Sequence, residues 1–211
     1  MKVTIGKKIL SALLSGTLVV LTTPIDAAAA MAFQSQTPTP ASDYSGQGAP
    51  QAAAELQALV APIALYPDAL VAQILSASTF PDQVAIADNW LQTNKSLTGT
   101  ALTLAVDKQT WDPSVEALTE FPSVLNKMAQ SLAWTSSLGE AYHNQQADVM
   151  TAVQTLRAQA KKEGNLKSGS QITVVQQTPQ TIVIQPTNPQ VIYVPEYNPT
   201  AVYGTPYVTP G

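Results

Sequence analysis

The hydrophobic residues between positions 51 and 165 recur at the three- and four-residue spacing that is typical of helices. Six stripes show this spacing: Leu56, Leu59, Val60 and Ile63; Leu70, Val71, Ile74 and Leu75; Val84, Ala87 and Leu91; Val115 and Leu118; Val124, Leu125, Met128 and Leu132; Met150, Val153, Leu156 and Ala160. Pro62 lies within the first stripe and predicts a kink or an early stop there. The last stripe ends in Lys161 and Lys162, with Gly164 as the residue expected after the helix. The pattern predicts a compact bundle of about five to seven short helices.

Four predicted helix starts carry an aromatic residue shortly before a proline. They are Tyr66-Pro67-Asp68, Phe80-Pro81-Asp82, Trp111-Asp112-Pro113 and Phe121-Pro122-Ser123. Proline suits the first helical position because its missing N–H would be unpaired there anyway. Asp112 is a natural cap, and Thr79 with Asp82 resembles a capping box. These acidic residues therefore have a structural explanation before any catalytic one.

The pattern changes after Leu166. Residues 168–211 contain one charged residue, Glu196, together with seven of the sixteen prolines and four of the seven tyrosines. Three units of ten residues, TIVIQPTNPQ, VIYVPEYNPT and AVYGTPYVTP, each place a β-branched run before a proline-bearing turn. Proline is confined to the edges and starts of strands, so these units predict short edge strands alternating with polyproline-like chain. The fold class is thus mostly α, a compact bundle of short helices followed by a proline-punctuated extended and short-β C-terminal segment.

Burial of apolar side chains does not by itself offset the entropy of ordering this segment. We therefore expect residues 172–194 to pair as strands and pack across the bundle, and residues 195–211 to be mobile or to contact a partner. The alternative is an extended ligand that adds to a partner's sheet edge or docks in an aromatic groove. The candidate partner contacts are Tyr193, Tyr197, Tyr203 and Tyr207, and the expected partner is another envelope protein.

The first residues resemble a secretory signal peptide. Lys2, Lys7 and Lys8 precede an apolar run from Ile9 to Leu21, and small residues suitable for cleavage follow. The run is shorter than the roughly 20 residues of a membrane-spanning helix, although an uncleaved anchor is the alternative. The predicted organisation is a signal peptide (1–32), a flexible linker (33–50), a helical domain (51–167) and an extended β/polyproline-like tail (168–211). We expect export to the periplasm or envelope of a bacterium, Gram-negative in type, with no integral membrane span after signal cleavage.

Composition narrows the classes of function. The chain has no cysteine, so an exported domain must be held by its core without disulfides. Without the signal peptide it would carry 7 basic and 13 acidic residues, a net charge of −6. Nucleic-acid binding needs clustered lysine and arginine. The cluster of Lys161, Lys162 and Lys167 is better explained as the end of a helix, so we predict no nucleic-acid partner.

Candidates for catalysis are few. His143 is the single histidine and is expected at the polar start of the last helix. With no cysteine beside it, the sequence predicts neither a metal site nor a cofactor. Asp107, Asp112, Glu116 and Glu120 lie close in sequence, and the last two are spaced to share a helix face. A pair of carboxylates can hydrolyse a glycan such as peptidoglycan, and this hydrolase is the rival hypothesis. Trp90, Trp111 and Trp134 could line the groove of a ligand carrier, but they are more simply core residues.

Three stretches together resemble a known bacterial family, the domain of unknown function 3300. They are LVAPIALYPDALVAQILSASTFPDQVAIADNWL (59–91), WDPSVEALTEFPSVL (111–125) and VIYVPEYNP (191–199). The resemblance implies an exported protein, mostly of Gram-negative bacteria, and it implies no activity, cofactor or catalytic residue. The leading hypothesis is an exported, non-enzymatic interaction or scaffold module of the cell envelope.

Overall fold

A computed structural model describes residues 50–188 and 191–204. The predicted signal peptide and nearly all of the predicted linker lie outside these residues, as does Tyr207. Within the described ranges the chain is mostly helical, with one small antiparallel sheet near its C-terminus. This confirms the predicted fold class.

The helices precede the sheet, with one short helix after it. Their bounds are α1 Ala53–Val60, α2 Asp68–Ser78, α3 Pro81–Thr93, α4 Gly99–Val106, α5 Pro113–Leu118, α6 Pro122–Gln130, α7 Leu132–Asn144, α8 Gln146–Lys162 and α9 Pro199–Tyr203. The strands are β1 Ile172–Thr178 and β2 Thr181–Pro186. Secondary structure thus changes character close to the predicted boundary at residue 167.

Proline sets several of the helix ends as the sequence predicts. α1 stops at Val60, two residues before Pro62, and α3, α5 and α6 each begin on a proline. The Asp112 carboxylate caps α5 by accepting the Ser114 N–H at 2.9 Å. The capping box at α3 is wrong, because Phe80 occupies the cap position and Thr79 instead donates its hydroxyl to the Ser76 carbonyl.

Two helices, α4 and α7, were not indicated by the hydrophobic pattern. Within residues 50–188, eight helices therefore precede the hairpin, whereas about five to seven were expected. α4 has the uncharged sequence GTALTLAV and buries only Val106, so it carries no apolar stripe. α7 begins at Leu132, which is 39% exposed and does not continue the stripe of α6.

The core is continuous from the helices into the C-terminal segment. It includes the buried stripes of α1, α2 and α8, and also Ile182, Ile184 and Tyr203 from beyond residue 168. The backbones of α2 and α7 are in direct contact at Gly139. A Cβ built on this glycine would lie 2.0 Å from the Ser78 carbonyl oxygen. Trp134 fills the core beside α1 and donates its indole N–H to the Leu59 carbonyl at 2.9 Å.

The hairpin confirms that part of the C-terminal segment pairs with itself. β1 and β2 are antiparallel, with Val174 opposite Ile184 and Gln176 opposite Ile182, and a bulge follows Gln176. Residues 191–198 form no strand, although Ile192 and Val194 pack against the core. No helix in the described ranges is long and apolar enough to cross a membrane.

Candidate functional site

The acidic residues proposed for hydrolysis do not form a paired site. Glu116 is within α5, whereas Glu120 lies beyond the end of this helix. The prediction that the two share a helix face is therefore wrong. Asp112 is engaged as a cap, accepting both the Ser114 N–H and the Ser114 hydroxyl. Asp107 ends α4 and is exposed. Among the described residues no three acidic or histidine side chains converge on a point that could hold a metal ion.

The lone histidine lies elsewhere than expected. His143 is exposed in the last turn of α7, which corrects its predicted position at the start of the last helix. Trp90 and Trp111 pack edge to face with ring centroids 5.6 Å apart, and both are half-buried. Trp134 is a core residue.

The tyrosines of the C-terminal segment divide between core and surface. Tyr203 is 1% exposed, and its hydroxyl lies 3.1 Å from the Ala61 carbonyl oxygen. Tyr197 donates to the same carbonyl at 2.8 Å and packs edge to face on both Tyr66 and Tyr203. Residues 196–203 therefore contact their own chain through these rings, where partner contact or mobility was expected. Tyr193 is 37% exposed, and its role as a partner contact stays a prediction.

Burial in this cluster shifts the pKa values of two of its tyrosines. Burial, reinforced by the charge and hydrogen bond of Tyr203, raises the pKa of Tyr197 well above its usual value of 10.0. Burial and then the nearby Glu196 carboxylate raise the pKa of Tyr66. The Tyr197 hydroxyl is thus held neutral, donating to the Ala61 carbonyl and accepting the Leu65 N–H.

Arg157 is a buried hub that the sequence analysis missed. Its side chain is 2% exposed and donates to the carbonyls of Ala64 at 2.8 Å, Tyr66 at 3.1 Å and Ile182 at 2.8 Å. It also pairs with the Asp68 carboxylate at 2.6 Å. The arginine follows Val153 by four residues and precedes Ala160 by three, so its place in an apolar stripe was a readable signal of burial with partners.

Asp68 extends the hub to the sheet. Besides Arg157, its carboxylate accepts the Ile184 N–H at 3.1 Å, while the Gln154 side chain accepts the Ile182 N–H at 2.8 Å. The outer edge of β2 is therefore closed by side chains from α2 and α8. This fixes the hairpin over α8.

Two adjoining hollows run along α8. The first has a volume of about 300 Å³ and lies between α1 and α8, with Leu56 and Ala152 among its apolar walls. The second, about 720 Å³, lies between α8 and the tip of the hairpin. They share Thr151 and Thr155, so they adjoin along α8, and we treat the two together as one groove. Along α8 it extends from Asp148 to Lys162, about 21 Å at the rise of a helix.

The polar lining of the groove consists mainly of amides and hydroxyls. It comprises Gln51, Gln57, Asp148, Thr151, Gln154, Thr155, Lys161, Lys162, Gln176 and Gln180. Amides both donate and accept hydrogen bonds, which suits a ligand that presents N–H and C=O groups along its length. One end carries a carboxylate and the other two ammonium groups. We call this surface the α8 groove.

The comparisons with known proteins confirm the family resemblance seen in the sequence. The family model described as "Protein of unknown function (DUF3300)" matches residues 52–209. The "Uncharacterized protein YacH" of Escherichia coli (strain K12) is 41% identical over 134 residues, covering 64% of this chain. The chain spans only 22% of that relative's length. No solved structure matches the chain.

Proposed function

The chain belongs to the DUF3300 family, and we propose that it is an exported binding module of the cell envelope without catalytic activity. It holds an extended segment of another envelope protein in the α8 groove. The observation that carries this function is that two hollows adjoin along α8, one beside α1 and the other beside the hairpin. The C-terminal segment then contributes one wall of the binding site.

The dimensions and chemistry of the α8 groove support a polypeptide ligand. A length of about 21 Å accommodates six or so residues of extended chain at roughly 3.3 Å each. Glutamine and threonine side chains can pair with the N–H and C=O groups of such a segment, while the exposed Ala53 offers apolar contact at one end. Lys161 and Lys162 at the other end favour a segment with an acidic residue there.

The dispersal of the acidic residues supports the non-catalytic half of the proposal. An acid–base pair for glycan hydrolysis needs two carboxyl groups held about 5–10 Å apart across a bound sugar. Asp112 is committed to its cap, and Glu116 is on α5 whereas Glu120 lies in the turn that follows it. We expect no turnover of peptidoglycan by the purified chain. Turnover that the triple variant Asp112→Asn, Glu116→Gln, Glu120→Gln abolished without unfolding would overturn this half.

Site-specific photocrosslinking in the bacterium tests the binding half. A photoreactive phenylalanine analogue at Thr155, where the two hollows meet, should give a discrete adduct with another protein. The matched control is the same group at Met150, which is 41% exposed on α8 and belongs to neither hollow. The adduct should also weaken when Thr151→Trp fills the groove. No adduct at Thr155, or equal adducts at both positions, would contradict the proposal.

A further inference from the structure

A further hollow, of about 770 Å³, lies where the turn after α1, helix α6 and the chain leading into α9 meet. Its apolar walls consist of rings, those of Pro62, Pro195, Pro199, Tyr66 and Tyr197. The two tyrosine rings stand at 90° to each other with centroids 6.2 Å apart, so they meet as the two sides of a corner. The volume falls within the roughly 300–1,000 Å³ that is usual for ligand sites. We call this surface the tyrosine–proline hollow.

The hydroxyl of Tyr66 is left without a partner at this hollow. The residue is 4% exposed, yet no hydrogen bond joins its hydroxyl to any other residue that the structure describes. The hydroxyls of Tyr197 and Tyr203, by contrast, both bond the Ala61 carbonyl. A polar group on a side chain buried to this extent normally has a hydrogen-bond partner. Because Tyr66 lines the hollow, its hydroxyl is left for a group that occupies the hollow.

The other polar side chains of the hollow mainly offer donors. The side-chain oxygen of Asn198 caps α9 by accepting the Thr200 N–H at 2.9 Å, which leaves its NH₂ group free to donate. The Lys127 ammonium and the Glu196 carboxylate lie 3.6 Å apart, so their charges cancel. The lining side chains therefore combine hydrogen-bond donors with rings and carry no net charge. Such a surface is complementary to a neutral ligand that is rich in acceptors.

We propose that the tyrosine–proline hollow binds a neutral, proline-rich segment of another protein in the polyproline II conformation. Proline has a carbonyl acceptor and no N–H, and a polyproline II chain makes no internal hydrogen bonds, so such a segment presents acceptors with few donors. Its rings fit the corners between aromatic rings, and its preformed conformation loses little entropy on binding. The site shares no lining residue with the α8 groove and does not depend on it.

A decaproline peptide with blocked ends is the probe, and the NMR amide shifts of the purified chain are the measurement. The peptide should shift the amides of Glu196, Tyr197, Asn198 and Thr200, with a Kd between about 10 µM and about 1 mM. A blocked Gly-Ser peptide of the same length has no rings and should shift none of them. No shift at about 2 mM decaproline, equal shifts with both peptides, or shifts confined to the α8 groove would overturn the proposal.

Tyr66→Phe removes the buried donor alone. Because the hydroxyl has no partner within the described chain, the thermal stability should not change. The affinity for decaproline should fall about three- to tenfold, the effect of one lost hydrogen bond. Tyr193→Phe is the matched control, since its ring is 37% exposed and does not line the hollow, and its affinity should be unchanged. Equal affinity of Tyr66→Phe and the unaltered chain would overturn the proposal.

Asn198→Asp tests the second donor without removing the cap of α9. The carboxylate still accepts the Thr200 N–H, but it replaces the NH₂ donor with an oxygen that repels the carbonyls of the peptide. The affinity should fall at least about tenfold. An unchanged affinity would overturn the proposal.

The chain's own prolines are the alternative occupant. Pro206→Ser combined with Pro210→Ser removes the two prolines that follow Gly204 in the sequence. The affinity for decaproline should be the same in this variant as in the unaltered chain. An affinity about tenfold higher would show that the chain's own segment competes for the hollow, and would overturn the assignment to another protein.

Discussion

The helices and the C-terminal segment of residues 168–204 share one core, yet different forces hold them there. The helices contribute nearly all of the buried hydrocarbon, in the stripes of α1, α2, α6, α7 and α8. The C-terminal segment buries few side chains and is fastened by hydrogen bonds from side chains to backbone. Arg157, Asp68 and Gln154 hold β2, and Tyr197, together with Asn165, holds the chain after residue 191.

The difference shows how a proline-rich chain can be ordered without a large core of its own. Apolar burial is non-directional, so it brings a segment to the surface without selecting its register. Hydrogen bonds to particular carbonyl and N–H groups do select it. The Arg157 hub contacts the loop after α1, the start of α2 and the start of β2 at once, and so joins the two regions.

The largest expected effect comes from breaking this joint. Arg157→Met should lower the free energy of unfolding by about 3–5 kcal/mol, because three carbonyls lose their donor and Asp68 loses its counter-charge. Arg157→Lys keeps the charge but not the planar fork, so its loss should be smaller. Urea denaturation measures both. A change of less than about 1 kcal/mol for Arg157→Met would contradict the role of the hub.

A second variant perturbs the helices alone. Gly139→Ala would place a methyl group 2.0 Å from the Ser78 carbonyl oxygen, where only backbone could yield. We expect a loss of about 1–3 kcal/mol by thermal or urea unfolding. Gly169→Ala is the matched control, because nothing lies within 4 Å of the added carbon. If the two regions unfold together, amides in β2 should lose protection by the same amount as those in α2.

A third prediction uses the tyrosine cluster. The pKa of Tyr197 is raised above the 10.0 of an ordinary tyrosine, so the unfolded chain releases this proton at lower pH than the folded chain does. The contribution of the neutral Tyr197 hydroxyl to the free energy of unfolding is therefore fully present below pH 10.0. It is lost as pH rises through the raised pKa of the folded state. Tyr197→Phe should make stability fall less steeply in that window. Tyr193→Phe, which removes a hydroxyl from a 37% exposed ring outside the cluster, is the matched substitution.

The smallest expected effect is local. Asp112→Ala removes the cap of α5 and should cost about 1 kcal/mol, whereas Asp112→Asn, which still accepts the Ser114 N–H, should be nearly neutral. Neither variant should change amide protection in β2. A large loss of stability in Asp112→Asn would show that the charge itself has a role beyond capping.

Local signals in the sequence predicted much of the helical region. The early stop before Pro62, the proline starts of α3, α5 and α6, and the end of α8 at Lys162 all depend on residues at or beside the boundary. α4 was missed because an uncharged helix with one buried residue has no period to detect. The predicted capping box at α3 is absent because Phe80, not Thr79, occupies the N-cap position.

The attachment of the C-terminal segment was harder to predict, because it depends on partners between 25 and 142 residues away in sequence. Nothing near Tyr203 indicates that its hydroxyl would meet the carbonyl of Ala61. The carbonyls of Ala61, Ala64 and Tyr66 become available only because α1 stops and the chain turns there. Arg157 could have been singled out from its stripe, but its acceptors could not.

Amide hydrogen exchange across the full chain tests most directly whether residues 172–188 and 191–204 are part of the fold. We expect the Ile182 and Ile184 amides to be protected within about tenfold of the core amides of α2, because Gln154 and Asp68 accept them and both isoleucine side chains are buried. Exchange of these two amides at the rate of an unfolded chain, while α2 and α8 stay protected, would contradict it.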